Sequence, residues 1–237
     1  MSTHRYYIKQ GTVLRGGGYD RYAKRVFHIV LALVFTVPAL CIMALCILPL
    51  VAAGRTPFYR HLRVGRGGVA FYCFKIKTMT AMSAHQFNQH LRSCPAARRA
   101  WHIGRKLPQD PRVSGWYCQF LRDTHLDELP QILNILLGHM SFVGPRPVSA
   151  AEVREHHLVI TQRPGLTGLW QIERVPTQPW SERIALDARY AAQMSLGLDI
   201  VLLWRTVCLV IRRLLRSLHA AVRGAHVSLS QAKAIRR

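Results

Sequence analysis

The feature that most constrains this chain is a long uncharged stretch near its N-terminus. Residues 26–54 contain no Asp, Glu, Lys or Arg, whereas a helix needs only about 20 apolar residues to span a bilayer. The stretch is also much longer than the apolar region of a signal peptide, and no convincing cleavage site closes it. We therefore predict a membrane-embedded helix that is retained as an anchor.

Two prolines and the flanking charges bear on the path of this helix. Pro38 lies near the middle of the stretch and Pro49 near its end, and a proline inside a helix removes one hydrogen bond and bends the chain. Lys and Arg are abundant on both flanks, and such flanks remain in the cytoplasm. A re-entrant helix–break–helix that turns at Pro38 satisfies both flanks. A kinked transmembrane helix and a long core helix are the alternatives, and His28 is expected at the membrane interface.

The overall charge points to an anionic partner. The chain has 33 Lys and Arg against 11 Asp and Glu, a formal net charge of +22, which favours nucleic acid, an acidic membrane face or phosphorylated substrates. The apolar stretch favours a membrane, and no nucleic-acid-binding module is recognisable, so we expect anionic membrane lipid and no nucleic acid. The six cysteines form no CxxC pair, which indicates a reducing compartment rather than a disulfide framework.

The chain divides into four parts. Residues 1–23 form a basic tail, 24–54 the membrane helix, 55–198 a cytosolic lobe, and 199–237 a basic amphipathic helix with its tail. In the last part apolar residues recur every three or four positions and arginines occupy the other faces. This pattern is typical of a helix that lies in an anionic interface; a helix packed on the core with a basic outer face is the alternative.

Two adjacent carboxylates, Asp127 and Glu128, stand out in so basic a chain. They precede a short predicted helix over residues 130–137, in which Pro130 suits the first helical position and Gly138 the C-terminal cap. A helix N-terminus attracts anions, including phosphate. The carboxylates either cap this helix or form a pair in which one attacks phosphorus and both help to hold Mg²⁺.

Three arginines near this pair are candidates for phosphate binding. Arg122 lies five residues before Asp127, Arg146 is flanked by two prolines, and Arg163 precedes a Pro-Gly pair. Prolines limit the backbone freedom and so restrict where a guanidinium points, which suits bidentate phosphate recognition. The alternative for each arginine is a solvated surface charge.

Taken together, these motifs are similar to those of a known family. The chain resembles the bacterial sugar transferases, also called monotopic phosphoglycosyl transferases or undecaprenyl-phosphate sugar phosphotransferases, over roughly residues 21–212. The blocks that carry the resemblance are Lys24–Phe27 leading into the proline-containing anchor, Phe74–Met79, Phe120–Pro130, Met140–Pro147 and Arg163–Gln171.

The resemblance implies a small, mostly helical α/β lobe on a re-entrant membrane helix, at the cytoplasmic face of the bacterial inner membrane. Lys24 and Arg25 would lie at the membrane surface, and Pro38 matches the family's break proline. The implied reaction is Mg²⁺-dependent. Asp127, next to Glu128, would take a phosphosugar from a UDP-sugar and release UMP, and polyprenyl phosphate would then accept it. The product, polyprenyl-diphosphate-sugar, would initiate exopolysaccharide or other surface-glycan synthesis.

Two positions depart from the family pattern. The family commonly has an acid where this chain has His28, and an acid where it has His139. Both changes replace a negative charge, and neither removes the expected nucleophile. They leave a second hypothesis open, a catalytically silent membrane scaffold of the same fold.

Overall fold

A long apolar helix dominates the N-terminal part of the structure, a computed structural model that describes residues 19–104, 107, 109–153, 161–173 and 179–235. Helix α1 (Lys24–Ala52) follows a π-helical turn at Tyr19–Ala23. Within those described ranges, α1 is the one helix that is long and apolar enough to cross a membrane.

Helix α1 continues through both of its prolines. The sequence predicts a helix–break–helix around Pro38, whereas the structure has one uninterrupted helix there. A proline removes a single hydrogen bond, and in apolar surroundings the other backbone groups remain paired only if the helix continues. Re-entry into the membrane would therefore require a bend at Pro38 rather than a break.

The two ends of α1 pack against the same lobe. Near its start, Ala32 is buried in the main core with Leu202. Near its end, Cys46 and Leu50 are buried in a second cluster with Leu121. The opposite face of α1 exposes large apolar side chains along the whole helix, such as Val30, Val34, Val37, Leu45 and Leu48.

An antiparallel hairpin follows the anchor. Strand β1 (Phe58–Val64) pairs with β2 (Ala70–Ile76) across a turn at Arg66–Gly68, in which Gly67 has a φ of 72°. The left-handed conformation at Gly67 costs a glycine little, because glycine has no Cβ. The aromatic residues of β2 favour a strand, and the glycines between the two strands favour the turn.

The rest of the lobe is mostly helical, with a short parallel pair, β3 (Ser141–Val143) and β4 (Gly165–Thr167). Its helices are α2 (Ala84–Ser93), α3 (Pro95–Gly104), α4 (Gly115–Asp123), α5 (Gln131–Leu136), α6 (Ala150–Val153), α7 (Leu169–Ile172), α8 (Trp180–Gln193) and α9 (Leu196–Ile235). Pro95 is the first residue of α3 and separates it from α2. Helix α9 begins at Leu196, so the predicted boundary at residue 199 falls inside it.

A buried polar cluster around Asp199, which we call the Asp199 cluster, joins α1 to α8 and α9. The Tyr190 hydroxyl donates to Asp199 Oδ1 at 2.5 Å and the Tyr19 hydroxyl to Oδ2 at 2.9 Å. Lys24 Nζ lies 3.5 Å and His28 Nε2 3.3 Å from the same Oδ2. The side chain of Asp199 is fully buried, so this charge depends on its partners.

The Asp199 cluster corrects the expectation for His28. The sequence predicts this residue at the membrane interface, but its side chain is fully buried in the lobe. The reason is its contact with the Asp199 carboxylate, which supplies a negative charge from α9. Lys24 is likewise directed into the lobe and is only 5% exposed.

Candidate active site

The two adjacent carboxylates lie on a single tight turn. Leu126–Glu128 form a 3₁₀ turn between α4 and α5, and Asp127 is only 6% exposed. The residue before the turn, His125, has a φ of 60°. Residues other than glycine rarely adopt this left-handed conformation, which is often found at functional sites. Asp127 and Glu128 are called the dyad below. The helix predicted after them is confirmed as α5.

Strand β2 supports this turn in two ways. Its Lys75 contacts Glu128, and its backbone binds a buried asparagine of α5. Lys75 Nζ lies 2.5 Å from Glu128 Oε1. Asn134 on α5 accepts a hydrogen bond from the Phe74 amide at 3.0 Å and donates to the Tyr72 carbonyl at 2.7 Å. The asparagine thus pairs with the edge of β2 as a further strand would, and so holds the helix that follows the dyad.

The environment gives the two carboxylates opposite pKa shifts. Burial, reinforced by the nearby charge of Glu128, raises the pKa of Asp127 to about 6 although Lys75 and Arg122 oppose the rise. Burial would also raise the pKa of Glu128, but the charge of Lys75 outweighs it and brings the value to about 2. Near neutral pH both carboxylates are therefore ionised, and Asp127 is the more basic of the two.

The dyad faces a strongly cationic cavity of about 200 Å³. The charged side chains that line it are Arg63, Lys75, Arg122, Arg146 and Arg183 on the positive side and Asp127 and Glu128 on the negative side. Five cations against two carboxylates favour a ligand with more than one negative charge. Pockets that enclose a whole drug-sized ligand are larger, about 300–1,000 Å³, so this cavity suits the phosphate groups of a ligand rather than all of it.

Of the three arginines singled out in the sequence, Arg122 and Arg146 line the cavity. The guanidinium of Arg146 lies 5.9 Å from the centre of the Trp170 ring. The loop that carries it passes very close to the backbone of β4, since a Cβ on Gly165 would lie 2.1 Å from the Gly144 nitrogen. Glycine at both positions therefore permits the close approach that places Arg146.

Arg163 lies apart from the cavity lining. Its Nε donates to the Gly138 carbonyl at 3.0 Å. Arg25 is placed similarly, because its Nη1 and Nη2 donate to the carbonyls of Ile135 at 2.6 Å and Leu136 at 3.0 Å. The two arginines thus satisfy carbonyl groups at the C-terminal end of α5, where positive charge is favourable. The structure does not bring Arg163 together with Asp127.

The two departures from the family pattern also lie outside the cavity lining. His139 stacks on Phe71 with ring centres 5.5 Å apart, and His28 belongs to the Asp199 cluster. Neither side chain is among those that face the dyad. The loss of two acids therefore leaves the charge pattern of the cavity lining unchanged.

Several lining residues are not predicted as site residues from the sequence, namely Arg63, Lys75, His125, Trp170 and Arg183. Lys75, His125 and Trp170 nevertheless lie within the blocks that carry the family resemblance. Strand alternation carries a signal for Arg63 and Lys75. Opposite residues of an antiparallel pair share a face, and Arg63 lies opposite Phe71. Cys73 and Lys75 follow Phe71 by two and four residues, so they lie on the same face as Arg63. Arg183 comes from α8, which has no recognisable motif.

We expect Lys75→Gln to lower the rate of the phosphosugar transfer that the resemblance implies. The expected loss at pH 7 is about tenfold or more, the range for losing a charge-assisted hydrogen bond. Without the ammonium group, the pKa values of Glu128 and Asp127 both rise, so the acid limb of the pH–rate profile should move to higher pH. Initial rates between pH 5.5 and 9 measure this shift. Lys77→Gln is the matched control, because Lys77 donates to Thr56 instead. An unshifted acid limb in Lys75→Gln would contradict the role of Lys75.

Comparison with known proteins places this site in context. A family model described as bacterial sugar transferase matches residues 19–213. The exopolysaccharide production protein ExoY of Sinorhizobium fredii is 37% identical over 214 residues, which cover 87% of this chain and 92% of ExoY.

Two further relatives are considerably longer proteins. The UDP-galactose-lipid carrier transferase of Erwinia amylovora is 37% identical over 198 residues, and the undecaprenyl-phosphate galactose phosphotransferase of Salmonella typhimurium is 35% identical over 198 residues. Each match covers 82% of this chain but only 41% of the relative. The family model covers the anchor, the dyad turn, the loop of Arg146 and α9 as far as Arg213. On this evidence, the chain belongs to the bacterial sugar transferase family.

Proposed function

We propose that the protein transfers a phosphosugar from a UDP-sugar to polyprenyl phosphate, which gives polyprenyl-diphosphate-sugar and UMP and initiates the synthesis of an exopolysaccharide or other surface glycan. The observation that carries this proposal is the pairing of a buried, basic carboxylate with a cavity of five cations. The names of the relatives, which include lipid-carrier and undecaprenyl-phosphate sugar transferases, support the same substrates.

We propose that the reaction proceeds in two displacements. In the first, a carboxylate oxygen of Asp127 forms a bond to the phosphorus that carries the sugar, and the bond from that phosphorus to the UMP oxygen breaks with its electron pair on UMP. In the second, a phosphate oxygen of polyprenyl phosphate attacks the same phosphorus, and Asp127 leaves as a carboxylate. Arg122 and Arg146 would neutralise the phosphate oxygens in both steps.

The dyad also fits a magnesium ion. Mg²⁺ is commonly held by one or two carboxylates together with substrate phosphates and water, and Asp127 and Glu128 present carboxylates to the same cavity. Glu128 already contacts Lys75, so the ammonium group would orient it toward this role. When bound, the ion would offset negative charge on the transferred phosphate.

The membrane arrangement that we propose is re-entrant, with the lobe on the cytoplasmic face of the inner membrane. Both ends of α1 pack against one lobe, while the opposite face of the helix exposes apolar side chains along its length. A membrane-embedded acceptor and a soluble UDP-sugar can then meet at one cytoplasmic site. Exposed apolar residues of α9, such as Trp204, Val207 and Ile211, and its arginines suit contact with anionic lipid.

The test is UMP release by purified protein in detergent, with polyprenyl phosphate and a panel of UDP-sugars. We expect UMP and lipid-linked sugar in equal amounts with at least one sugar, and no product after Mg²⁺ is chelated. Release of UMP without lipid-linked product would contradict transfer to polyprenyl phosphate. No reaction with any sugar of the panel would contradict the proposal and favour a silent scaffold.

The re-entrant path makes a separate prediction. Single cysteines near residue 10 and near residue 90, in a variant without native cysteines, should both resist an impermeant thiol reagent until the cells are opened. The physical reason is that export of either flank would carry several Lys and Arg across the membrane. Labelling of one site alone in intact cells would show a true span.

Pro38→Ala should straighten α1 and move the short N-terminal flank toward exposure.

A further inference from the structure

Arg63, near the end of β1, lines the cavity but has no role in the two displacements described above. Lys75, Cys73 and Arg63 lie on the same face of the hairpin, and all three line the cavity. Lys75 is opposite Tyr59, and Arg63 lies four residues beyond Tyr59. At about 3.3 Å per residue, Arg63 is therefore roughly 13 Å farther along the strand than the lysine that holds the dyad.

Arg63 is held in place by an acidic partner outside the cavity lining. Its Nη1 donates to Glu152 Oε2 at 3.3 Å, and both side chains are mostly buried, at 16% and 15% exposure. The same Glu152 oxygen accepts hydrogen bonds from the Ser149 amide at 2.7 Å and the Ser149 hydroxyl at 2.8 Å. A carboxylate with three donors has little freedom, so it limits where the guanidinium can point.

Arg63 also lies close to Arg146. The Val64 amide donates to the Val148 carbonyl at 2.9 Å, which joins the end of β1 to the loop that carries Arg146. Burial, and after it the nearby charge of Arg146, lowers the pKa of Arg63. Glu152 offsets part of the repulsion between these two arginines, because its charge acts on both of them. A phosphate in the cavity would add a second negative charge beside the same pair.

We propose that Arg63 binds the phosphate on the uridine side of the UDP-sugar, and that Glu152 is the residue that positions Arg63 for this contact. This inference rests on the proposed function and specifies which part of the substrate each end of the cavity takes. Asp127 and Lys75 mark the end where the sugar-bearing phosphorus reacts. Arg63 marks the other end, where the second phosphate of the donor lies, and Arg146 is near both ends because its charge acts on Glu128 and on Arg63.

The position of Arg63 along the hairpin favours the soluble donor over the lipid acceptor. Strand β1 begins at Phe58, shortly after α1 ends at Ala52, and Arg63 lies near its far end. The phosphate of a membrane-embedded acceptor needs to reach only the sugar-bearing phosphorus at Asp127. The nucleotide phosphate, in contrast, extends beyond that phosphorus toward the far end of the cavity, where Arg63 lies.

The experiment measures UDP binding by calorimetry, independently of turnover, and then the kinetic constants for each substrate. Arg63→Gln should weaken UDP binding at least about tenfold, as expected for one charge-assisted hydrogen bond, and raise the KM for the UDP-sugar similarly without raising that for polyprenyl phosphate. Arg60→Gln is the matched control, since Arg60 is a cation of the same strand that stacks over Tyr72 on the other face, 4.7 Å from its ring centre. It should bind UDP as the wild type does.

The positioning role of Glu152 has its own readout. Glu152→Gln keeps an acceptor for Ser149 but removes the charge that faces Arg63, so it should weaken UDP binding several-fold with little change in kcat. In the double variant Arg63→Gln/Glu152→Gln, binding should be no weaker than in Arg63→Gln alone. Fully additive losses would overturn the positioning role.

The outcomes separate this inference from the proposed function. A wild-type protein that binds UDP but transfers no sugar phosphate would contradict the proposed function, while the calorimetric comparison would still judge Arg63. Unchanged UDP affinity in Arg63→Gln, no UDP binding by the wild type, or a rise only in the KM for polyprenyl phosphate would overturn the assignment.

Discussion

Asp127→Asn is expected to abolish sugar-phosphate transfer, with a loss of at least about a thousandfold, in the range seen when an enzyme's nucleophile is removed. An amide is a poor nucleophile and cannot form the acyl phosphate that the first displacement requires. UMP release measures the loss. Intact-protein mass after brief exposure to UDP-sugar without the acceptor should show an added phosphosugar on the wild type and none on the variant.

A matched control lies four residues earlier on the chain. Asp123 accepts a hydrogen bond from Gln119 at 2.9 Å on α4 and does not line the cavity. Asp123→Asn should therefore retain most of the activity. If Asp127→Asn kept more than about a tenth of the wild-type rate, a covalent route through Asp127 would be wrong.

The stability of the Asp127→Asn variant distinguishes lost chemistry from lost folding. The pKa of Asp127 is about 6 in the folded protein, above the value of about 3.9 in an unfolded chain. Between these values the folded state binds more protons, so the wild type loses stability as the pH rises through that window. In the variant this side chain does not titrate, so the variant does not lose this stability as the pH rises. Its Tm should exceed that of the wild type at pH 7.5, and the difference should close toward pH 4.

The second large effect concerns stability rather than catalysis. Asp199→Asn should lower the free energy of unfolding by about 3–5 kcal/mol, because it leaves the ammonium of Lys24 buried without its counter-charge. In a chain of this size that corresponds to a fall in Tm on the order of 10 °C. Thermal denaturation in detergent, followed by circular dichroism, measures it.

Two further variants test whether charge is the cause. Tyr19→Phe removes one hydrogen bond to the same carboxylate and should cost only about 1 kcal/mol. Lys24→Met in the Asp199→Asn background removes both charges and should recover part of the lost stability. A Tm in Asp199→Asn equal to that of the wild type would show that the Asp199 cluster does not hold α1.

The sequence predicts those features that depend on neighbouring residues. The apolar composition of residues 26–54 is enough to predict α1, and Pro130 with Gly138 bounds the helix after the dyad. Asp127, Glu128, Arg122 and Arg146 lie in short motifs, and the structure brings all four to one cavity.

The features that the sequence does not reveal depend on contacts between distant segments. Lys75 is recognisable as part of the site only once the strand register and the position of α5 are known. Arg163 looks like Arg146 in sequence, since both adjoin prolines, yet it binds the Gly138 carbonyl. The burial of His28 depends on a carboxylate 171 positions away (199 − 28), a pairing that no local pattern encodes.

The Asp199 cluster also has a consequence for how the protein is made. Lys24 and its counter-charge are 175 positions apart (199 − 24), so a ribosome that adds about 5–20 residues per second needs roughly 10–35 s to synthesise the interval. The end of α1 finds its partners on α4 much earlier. We therefore expect the nascent anchor to be held first by its C-terminal half. Arg25 can bind the end of α5 soon afterwards, whereas Lys24 and His28 would lack their counter-charge until α9 emerges. This order makes biogenesis of this enzyme sensitive to truncation before Asp199.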